Sequence, residues 1–269
     1  MFFDAQVTFA SVVVFLIGLC FGSFLNVVAL RYVLGEDWIK TPSACFSCGV
    51  KLSFSQNLPV WGWLGHGGKA SCCGAKLPLR YLLVELFCGG LAVLSYVQLG
   101  LSMSLIFSLF FMLNVVIFLT DLEDFIIPDF ASLGGAAAGL LMVCAGLDGL
   151  PTLREAVIGG VFGFGLLYAI NAAYKLWRGH DGLGFGDVKL MAMYGVWLGP
   201  VAILPILFFS SLAGAILGIV LILLNKTPLM AAETQQAPVL PYGCFLVPAA
   251  ILWVLFADSI ALPIFLIAS

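Results

Sequence analysis

The chain has 269 residues, of which 62% are hydrophobic and only 9% are charged. Soluble domains average about 45–50% apolar and about 25% charged residues. This composition therefore excludes a soluble enzyme, a nucleic-acid-binding protein and a disordered protein. The net charge of −3 also leaves no basic patch for a polyanion. We predict an all-α polytopic membrane protein that lies in a lipid bilayer.

Eight apolar stretches are long enough, or nearly so, to cross a bilayer, which takes roughly 20 helical residues. In chain order they are Val7–Leu30, Tyr81–Leu99, Met103–Thr120, Phe130–Leu147, Val157–Tyr174, Asp187–Leu198, Val201–Leu224 and Tyr242–Leu266. The sixth stretch is short, and only Gly199-Pro200 separates it from the seventh. The prediction is a transmembrane helical bundle of about eight spans, with a merged sixth and seventh span as the alternative.

The distribution of Lys and Arg predicts the orientation of the chain in the membrane. With eight spans, ten of the eleven positive charges fall on one side, and only Arg154 falls on the other. Positive residues accumulate in cytoplasmic loops. We therefore expect the loop from Arg31 to Arg80 to be cytoplasmic and both termini, Met1 and Ser269, to be external. The ten residues are Arg31, Lys40, Lys51, Lys69, Lys76, Arg80, Lys175, Arg178, Lys189 and Lys226.

The loop from Arg31 to Arg80 carries a cluster of cysteines. Cys45 and Cys48 form a C-x-x-C turn, and Cys72 and Cys73 are adjacent. Cytoplasmic thiols stay reduced, so clustered cysteines there indicate a metal site rather than disulfides. We predict one structural zinc ion bound by these four cysteines. His66 is an alternative fourth ligand in place of Cys72, and incidental free thiols are the remaining interpretation.

Two aspartates are predicted at the cytoplasmic ends of spans. Asp121 ends the third span, and Asp187 begins the sixth within the segment from Gly182 to Leu190. Ionisable groups at membrane depth are costly and usually functional. Two carboxylates held close cannot both ionise, so one can activate water while the other donates a proton. This pattern fits an aspartic protease, and a proton-coupled transporter with buried carboxylates is the alternative.

The residues near the two aspartates are not predicted to be catalytic. Gly184 and Gly186 leave the backbone before Asp187 without side chains, which permits an extended substrate to approach and hydrogen-bond there. Glu123 and Asp124 are expected to be solvated. Asp129 follows Pro128 and is expected to cap the fourth helix.

The ordered motifs of the whole chain resemble those of the bacterial type IV prepilin peptidases, the leader peptidase/N-methyltransferases. The resemblance rests on motifs from the first span to the last. They are Gly22-Ser23-Phe24-Leu25-Asn26-Val27-Val28 with Arg31, Cys45-x-x-Cys48, Asn57-Leu58-Pro59 with Trp61, Arg80-Tyr81 with Glu85, Asp121 through Pro128-Asp129, Gly184-Phe185-Gly186-Asp187 with Lys189, and Pro241-Tyr242-Gly243 with Phe245-Leu246.

This resemblance implies a function, partners and a cofactor. The family is a group of inner-membrane aspartic endopeptidases. By the matching motifs, Asp121 and Asp187 of this chain are expected at the catalytic positions. Gly184, Gly186 and Lys189 are expected to support them. Members of the family cleave the basic leader from type IV prepilins or type II secretion pseudopilins, after a glycine and at the cytoplasmic face. They then methylate the new N-terminal amine with S-adenosyl-L-methionine, which we expect to bind between the zinc loop and the ends of the first spans.

The chain is expected to divide into three parts, and it departs from the family pattern at two places. Residues 1–30 are the first transmembrane span, 31–80 the cytoplasmic zinc loop and 81–269 the transmembrane peptidase core. The family's second cysteine pair aligns with Ala70 and Cys73, so Ala70 lacks the thiol and Cys72 is new. Cys244 replaces a proline common in the family. A peptidase without methyltransferase activity, a transporter and a structural secretion component are the alternatives.

Overall fold

The structure is a computed structural model that describes residues 5–37, 43–45, 47–224 and 240–265. Within these ranges the regular elements are helices, and β-structure is limited to the isolated bridges Ala44–Lys51 and Lys69–Lys76. The described residues thus confirm the all-α prediction. Lys40, Lys226 and the two terminal residues, on which part of the orientation prediction depends, lie outside them. The chain divides into two compact units, Met1–Met112 and Leu113–Ser269.

The first unit contains two long helices and a small irregular segment. Its helices are α1 (Ala5–Leu34), the short α2 (Phe54–Asn57) and α3 (Trp61–Leu64), and the first part of α4 (Leu79–Asp124). Small residues bring α1 and α4 close together. A Cβ atom on Gly18 would lie 2.7 Å from the carbonyl oxygen of Cys88 and 2.8 Å from Cα of Gly89. Such close backbone approach through small residues is typical of packed membrane helices.

Helix α4 contains a break that divides it into two segments. Its 46 residues would span about 69 Å as one straight helix, more than twice the roughly 30 Å hydrocarbon core. Gly100 has φ 77° and ψ 173°, a non-helical conformation that glycine adopts without a Cβ clash. The break falls between the predicted second and third spans.

The second unit contains the end of α4 and five further helices of the described chain. These are α5 (Asp129–Cys144), α6 (Leu153–Arg178), α7 (Phe185–Leu198), α8 (Ile203–Leu223) and α9 (Gly243–Phe265), with a 3₁₀ turn at Pro200–Ala202. Helices α6 and α7 approach closely where Gly159 faces Gly195, backbone against backbone. Tyr194 and Trp197 of α7 are fully buried. The short α7 is therefore an interior helix of this unit.

The segments predicted as spans correspond to helices of different lengths. Four helical segments are long and apolar enough to cross a membrane: Thr8–Leu34, Leu79–Asp124, Leu153–Arg178 and Pro200–Leu223. The helices α5, with 16 residues, and α7, with 14, are shorter than a typical span. Gly199, with φ 76°, separates α7 from the 3₁₀ turn before α8. The sixth and seventh stretches are thus two separate helices.

Candidate functional site

Asp121 lies near the end of α4, and its side chain is 4% exposed. Its Oδ2 atom accepts a hydrogen bond from the backbone N–H of Cys244, at 2.9 Å. The neighbouring Gly243 leaves room for this carboxylate, because a Cβ atom there would lie 2.8 Å from Oδ2. The start of α9 therefore fixes the position of Asp121.

Asp187 lies in the first turn of α7, and its side chain is 7% exposed. The N-terminus of a helix carries partial positive charge and favours a carboxylate. The Oδ1 atom of Asp187 is buried and has no hydrogen-bond partner among the described residues. A buried polar atom without a partner is rare in proteins, and it is open to a ligand or water.

The two glycines before Asp187 have different structural roles. A Cβ atom on Gly184, the N-cap of α7, would lie 3.1 Å from Oδ2 of Asp187. A Cβ atom on Gly186 would lie 2.9 Å from Cβ of Ile127. Gly184 therefore gives room to the Asp187 carboxylate, and Gly186 lets α7 pack against the α4–α5 connection. Approach of an extended substrate to this stretch stays a prediction.

The second unit brings the two aspartates together. Ile127 lies beside both aspartates: a Cβ atom on Gly186, next to Asp187, would lie 2.9 Å from Ile127, and a Cβ atom on Gly243, beside Asp121, would lie 3.2 Å from it. The carboxylates of Asp121 and Asp187 interact electrostatically. Two buried carboxylates at this proximity can share one proton, and such a pair can carry out general acid–base chemistry.

The other acidic residues of this region lie outside the buried pair. Glu123 and Asp124 are exposed. Asp129 is the first residue of α5, while Pro128 occupies the N-cap position. The prediction that Asp129 caps this helix is therefore wrong by one residue. Its exposed carboxylate forms an ion pair with Lys189 of α7, which the sequence interpretation did not foresee.

The four loop cysteines form a compact cluster in the first unit. The sulfur atoms of Cys45, Cys48, Cys72 and Cys73 all lie within 4.8 Å of one another. The Sγ atoms of Cys48 and Cys72 are 3.3 Å apart, and those of Cys45 and Cys73 are 3.7 Å apart. Four sulfur atoms this close together can hold a metal ion, and four cysteine thiolates are a common ligand set for zinc.

Two similar turns carry these cysteines. In the first, the Cys45 N–H donates to the Val50 carbonyl and the Gly49 N–H to the Cys45 carbonyl. In the second, the Ala70 N–H donates to the Ala75 carbonyl and the Gly74 N–H to the Ala70 carbonyl. Ala70 therefore occupies the position that Cys45 has in the first turn. Cys72 instead supplies the fourth sulfur.

The pKa values of these thiols are consistent with a site for a cation. Backbone N–H groups of Cys48 and Ser47 lower the pKa of the Cys45 thiol to about 6. Hydrogen bonds with Cys48 and Cys45 raise the pKa of the Cys72 thiol to about 12. Four such close thiols cannot all ionise without a positive charge among them. His66 stands apart, with Nδ1 against the carbonyl of Gly62 at 3.2 Å.

The structure adds Cys244 to the surroundings of Asp121. From the sequence, Cys244 is identified only as a replacement for a proline common in the family, and no role is predicted for it. The relevant group is a backbone N–H, which a proline lacks. The replacement of proline was the only sign in the sequence that this position contacts the site. The hydrogen bond to Asp121 also depends on the turn at Tyr242 and Gly243, which the sequence does not show.

Fold and site together define a membrane-embedded helical protein with a buried aspartate pair and a cysteine cluster. Sequence comparison gives its family. A model of the Bacterial Peptidase A24 N-terminal domain matches residues 16–99, and a model of the Type IV leader peptidase family matches residues 106–219. The chain belongs to the type IV leader peptidase family, which confirms the resemblance of its motifs.

Curated relatives support this assignment over most of the chain. The chain is 34% identical over 256 residues to the prepilin leader peptidase/N-methyltransferase of Aeromonas hydrophila, covering 86% of this chain and 85% of the relative. It is 33% identical over 232 residues to the protein of the same name from Neisseria gonorrhoeae, covering 76% and 80%. A similar relative from Myxococcus xanthus is 34% identical over 216 residues, covering 79% of this chain and 63% of the relative. No solved structure matches the chain.

Proposed function

We propose that this protein cleaves the leader peptide from type IV prepilins or type II secretion pseudopilins and then N-methylates the new N-terminus. The observation that carries the proposal is its 34% identity to a prepilin leader peptidase/N-methyltransferase across 86% of the chain. The buried aspartate pair of the second unit supplies the chemistry for the first reaction.

Asp121 and Asp187 are the catalytic groups of the cleavage reaction. The ionised carboxylate takes a proton from water, whose oxygen forms a bond to the scissile carbonyl carbon. The protonated carboxyl group donates its proton to the carbonyl oxygen. The C–N bond then breaks, the leaving amine takes a proton from the pair, and a hydroxyl of the tetrahedral intermediate returns a proton, so the pair again carries one proton. Gly184, Gly186 and Lys189 support the pair by shaping the start of α7.

The unpartnered Oδ1 of Asp187 suggests where the water binds. Oδ2 of Asp121 already accepts a hydrogen bond from Cys244. Asp187 therefore has the atom available for the water or for the substrate carbonyl.

The second reaction uses the amine that cleavage releases. The released amine would be the nucleophile for the methyl group, and it would lose a proton as the new N–C bond forms and the demethylated donor is released. S-adenosyl-L-methionine supplies the electrophilic methyl group when it is bound. Because cleavage creates the methyl acceptor, the donor must lie within reach of the cleaved substrate.

A structural zinc ion bound by Cys45, Cys48, Cys72 and Cys73 completes the proposal. The fit rests on four sulfur atoms within 4.8 Å of one another. The segment around them has two isolated β-bridges and two four-residue helices. Metal binding can stabilise so small a segment.

The membrane arrangement is also a proposal. We propose eight spans, because α4 breaks at Gly100 and α7 and α8 are separate helices. The Lys and Arg distribution supports a cytoplasmic location for residues 31–80 and an active site at the cytoplasmic face of the inner membrane. We propose a first span at 1–30, a zinc loop at 31–80 and a peptidase core at 81–269.

Purified protein in detergent tests the function directly. It should cleave a prepilin without any gradient or other protein, and it should transfer a labelled methyl group from S-adenosylmethionine to the product. Cleavage without methylation would identify a peptidase alone. Absence of cleavage would contradict the proposal and favour a transporter or a structural secretion component.

A further inference from the structure

The first unit contains a cavity of about 400 Å³ that the cleavage reaction does not use. Small-molecule sites have volumes of about 300–1,000 Å³. Residues from α1, the cysteine-containing segment and the start of α4 line it, among them Ser23, Arg31, Trp63, Lys76 and Glu85. The cavity is therefore large enough for a small ligand and has walls from three parts of the unit.

A buried carboxylate forms part of the cavity wall. Glu85 is 6% exposed, and the backbone N–H of Val60 donates to its Oε2 atom at 2.7 Å. Ser23 of α1 also hydrogen-bonds Glu85. A carboxylate held in this way by neutral partners is suited to a cationic ligand.

The contact between Val60 and Glu85 depends on an unfavourable backbone conformation. Val60 has φ 65°, which a β-branched residue rarely adopts. Unusual backbone conformations of this kind are concentrated at functional sites, where surrounding structure holds them in place. The structure therefore holds Glu85 in a defined position through a strained turn.

An aromatic ring in a defined position also lines the cavity. The indole Nε1 of Trp63 donates to the carbonyl of Leu77 at 3.4 Å. Gly68, with φ 70°, lets the chain pass next to this ring, because a Cβ atom there would lie 2.9 Å from Cζ2. An ordered indole suits a planar heterocycle such as a nucleobase.

We propose that this cavity is the binding site for the methyl donor S-adenosylmethionine, with the Glu85 carboxylate facing its sulfonium and Trp63 contacting its adenine. The inference rests on the proposed methyltransferase function and assigns residues to it. Arg31 and Lys76 add positive charge to the walls, which suits the carboxylate of the ligand. The cavity thus offers a partner for the sulfonium, the adenine and the carboxylate of the ligand.

Charge-matched ligands test the role of Glu85. S-adenosylhomocysteine has the same shape as the donor without the methyl group and the positive sulfonium. Wild-type protein should bind S-adenosylmethionine more tightly than S-adenosylhomocysteine in equilibrium dialysis. Glu85→Gln keeps the acceptor for the Val60 N–H and removes the charge, so this preference should fall by about tenfold or more. Glu123→Gln, which changes an exposed carboxylate, should leave the preference unchanged.

Photoaffinity labelling of wild-type protein provides a test that does not depend on a variant's folding. An azido-adenosyl analogue of the donor should label a peptide within residues 53–85, and excess S-adenosylmethionine should suppress it. Labelling confined to residues 113–224 would overturn the assignment, as would an unchanged ligand preference in Glu85→Gln while wild-type protein methylates its substrate. Wild-type protein that cleaves but neither binds the donor nor methylates would instead overturn the proposed methyltransferase function, and this inference with it.

Discussion

The backbone N–H of Cys244 donates a hydrogen bond to Oδ2 of Asp121, with the two atoms 2.9 Å apart. The bond connects the start of α9 to the end of α4. A carboxylate's hydrogen bonds restrict its orientation, and bonds to charged groups contribute about 1.5–3 kcal/mol. Cys244 therefore positions one member of the aspartate pair through its main chain.

Replacing Cys244 separates the roles of its backbone and its thiol. Cys244→Pro removes the N–H at a position in the first turn of α9, where proline is sterically tolerated. Proline is common in the family at this position, so we expect only a small fall in kcat for prepilin cleavage, about two- to threefold. Cys244→Ala keeps the N–H and should retain nearly full activity. Equal activity of both variants would show that this hydrogen bond has no role in catalysis.

The cysteine cluster predicts a rescue experiment. Wild-type protein should contain one zinc ion per chain, and Cys72→Ser should lower that content because it removes one thiolate. Ala70 occupies in the second turn the position of Cys45 in the first. Ala70→Cys in the Cys72→Ser background should therefore restore zinc binding, as measured by metal analysis.

Controls for the zinc experiment come from the same chain. Cys20 and Cys144 are exposed cysteines of the helices and lie outside the cluster. Their replacement by serine should leave the zinc content unchanged. Zinc-free wild-type protein after purification without chelators would contradict the metal site, and retention of full zinc by Cys72→Ser would reopen the choice of His66.

The contact between α6 and α7 predicts a large effect of one methyl group. A Cβ atom on Gly159 would overlap the backbone of Gly195, so the helices must separate in Gly159→Ala. Overpacking of this kind costs about 1–3 kcal/mol. Gly165 of the same helix has open space at its Cβ position. Gly165→Ala should therefore be neutral or slightly stabilising in thermal unfolding in detergent, and equal behaviour of the two variants would contradict this packing.

Much of the site was predictable, because a charged residue at membrane depth is costly and is therefore usually functional. Asp121 and Asp187 are conspicuous in a chain with so few charges, and the cysteine spacing indicated a cluster. The register at Ala70 was visible from alignment to the family pattern, but the sequence could not show that Cys72 brings its sulfur to the other three. That placement depends on the positive φ of Gly74, which closes the turn.

Other features depend on backbone geometry that side-chain patterns do not encode. The link from Val60 to Glu85 requires a valine at positive φ, contrary to the preference of its side chain. Every residue except proline has a backbone N–H, so the sequence does not show that the N–H of Cys244 donates to Asp121. That contact is visible only in the structure. Asp129 was expected as a solvated cap because its ion-pair partner, Lys189, is 60 residues away.

Single substitutions of the two aspartates test whether this pair catalyses prepilin cleavage. Asp121→Asn and Asp187→Asn keep the shape of each side chain but cannot exchange the proton. Each should lower prepilin cleavage by at least about 10³-fold, and the double variant should lose little more, because the pair acts as a unit. Each variant should still insert and fold.

The measurement is the rate of prepilin cleavage by these variants beside Glu123→Gln and Asp124→Asn, which change exposed carboxylates close to Asp121. We expect near wild-type rates for these two controls and loss of cleavage for Asp121→Asn and Asp187→Asn. Wild-type cleavage by either Asp121→Asn or Asp187→Asn, in protein that inserts and folds normally, would show that the pair is not the catalytic centre.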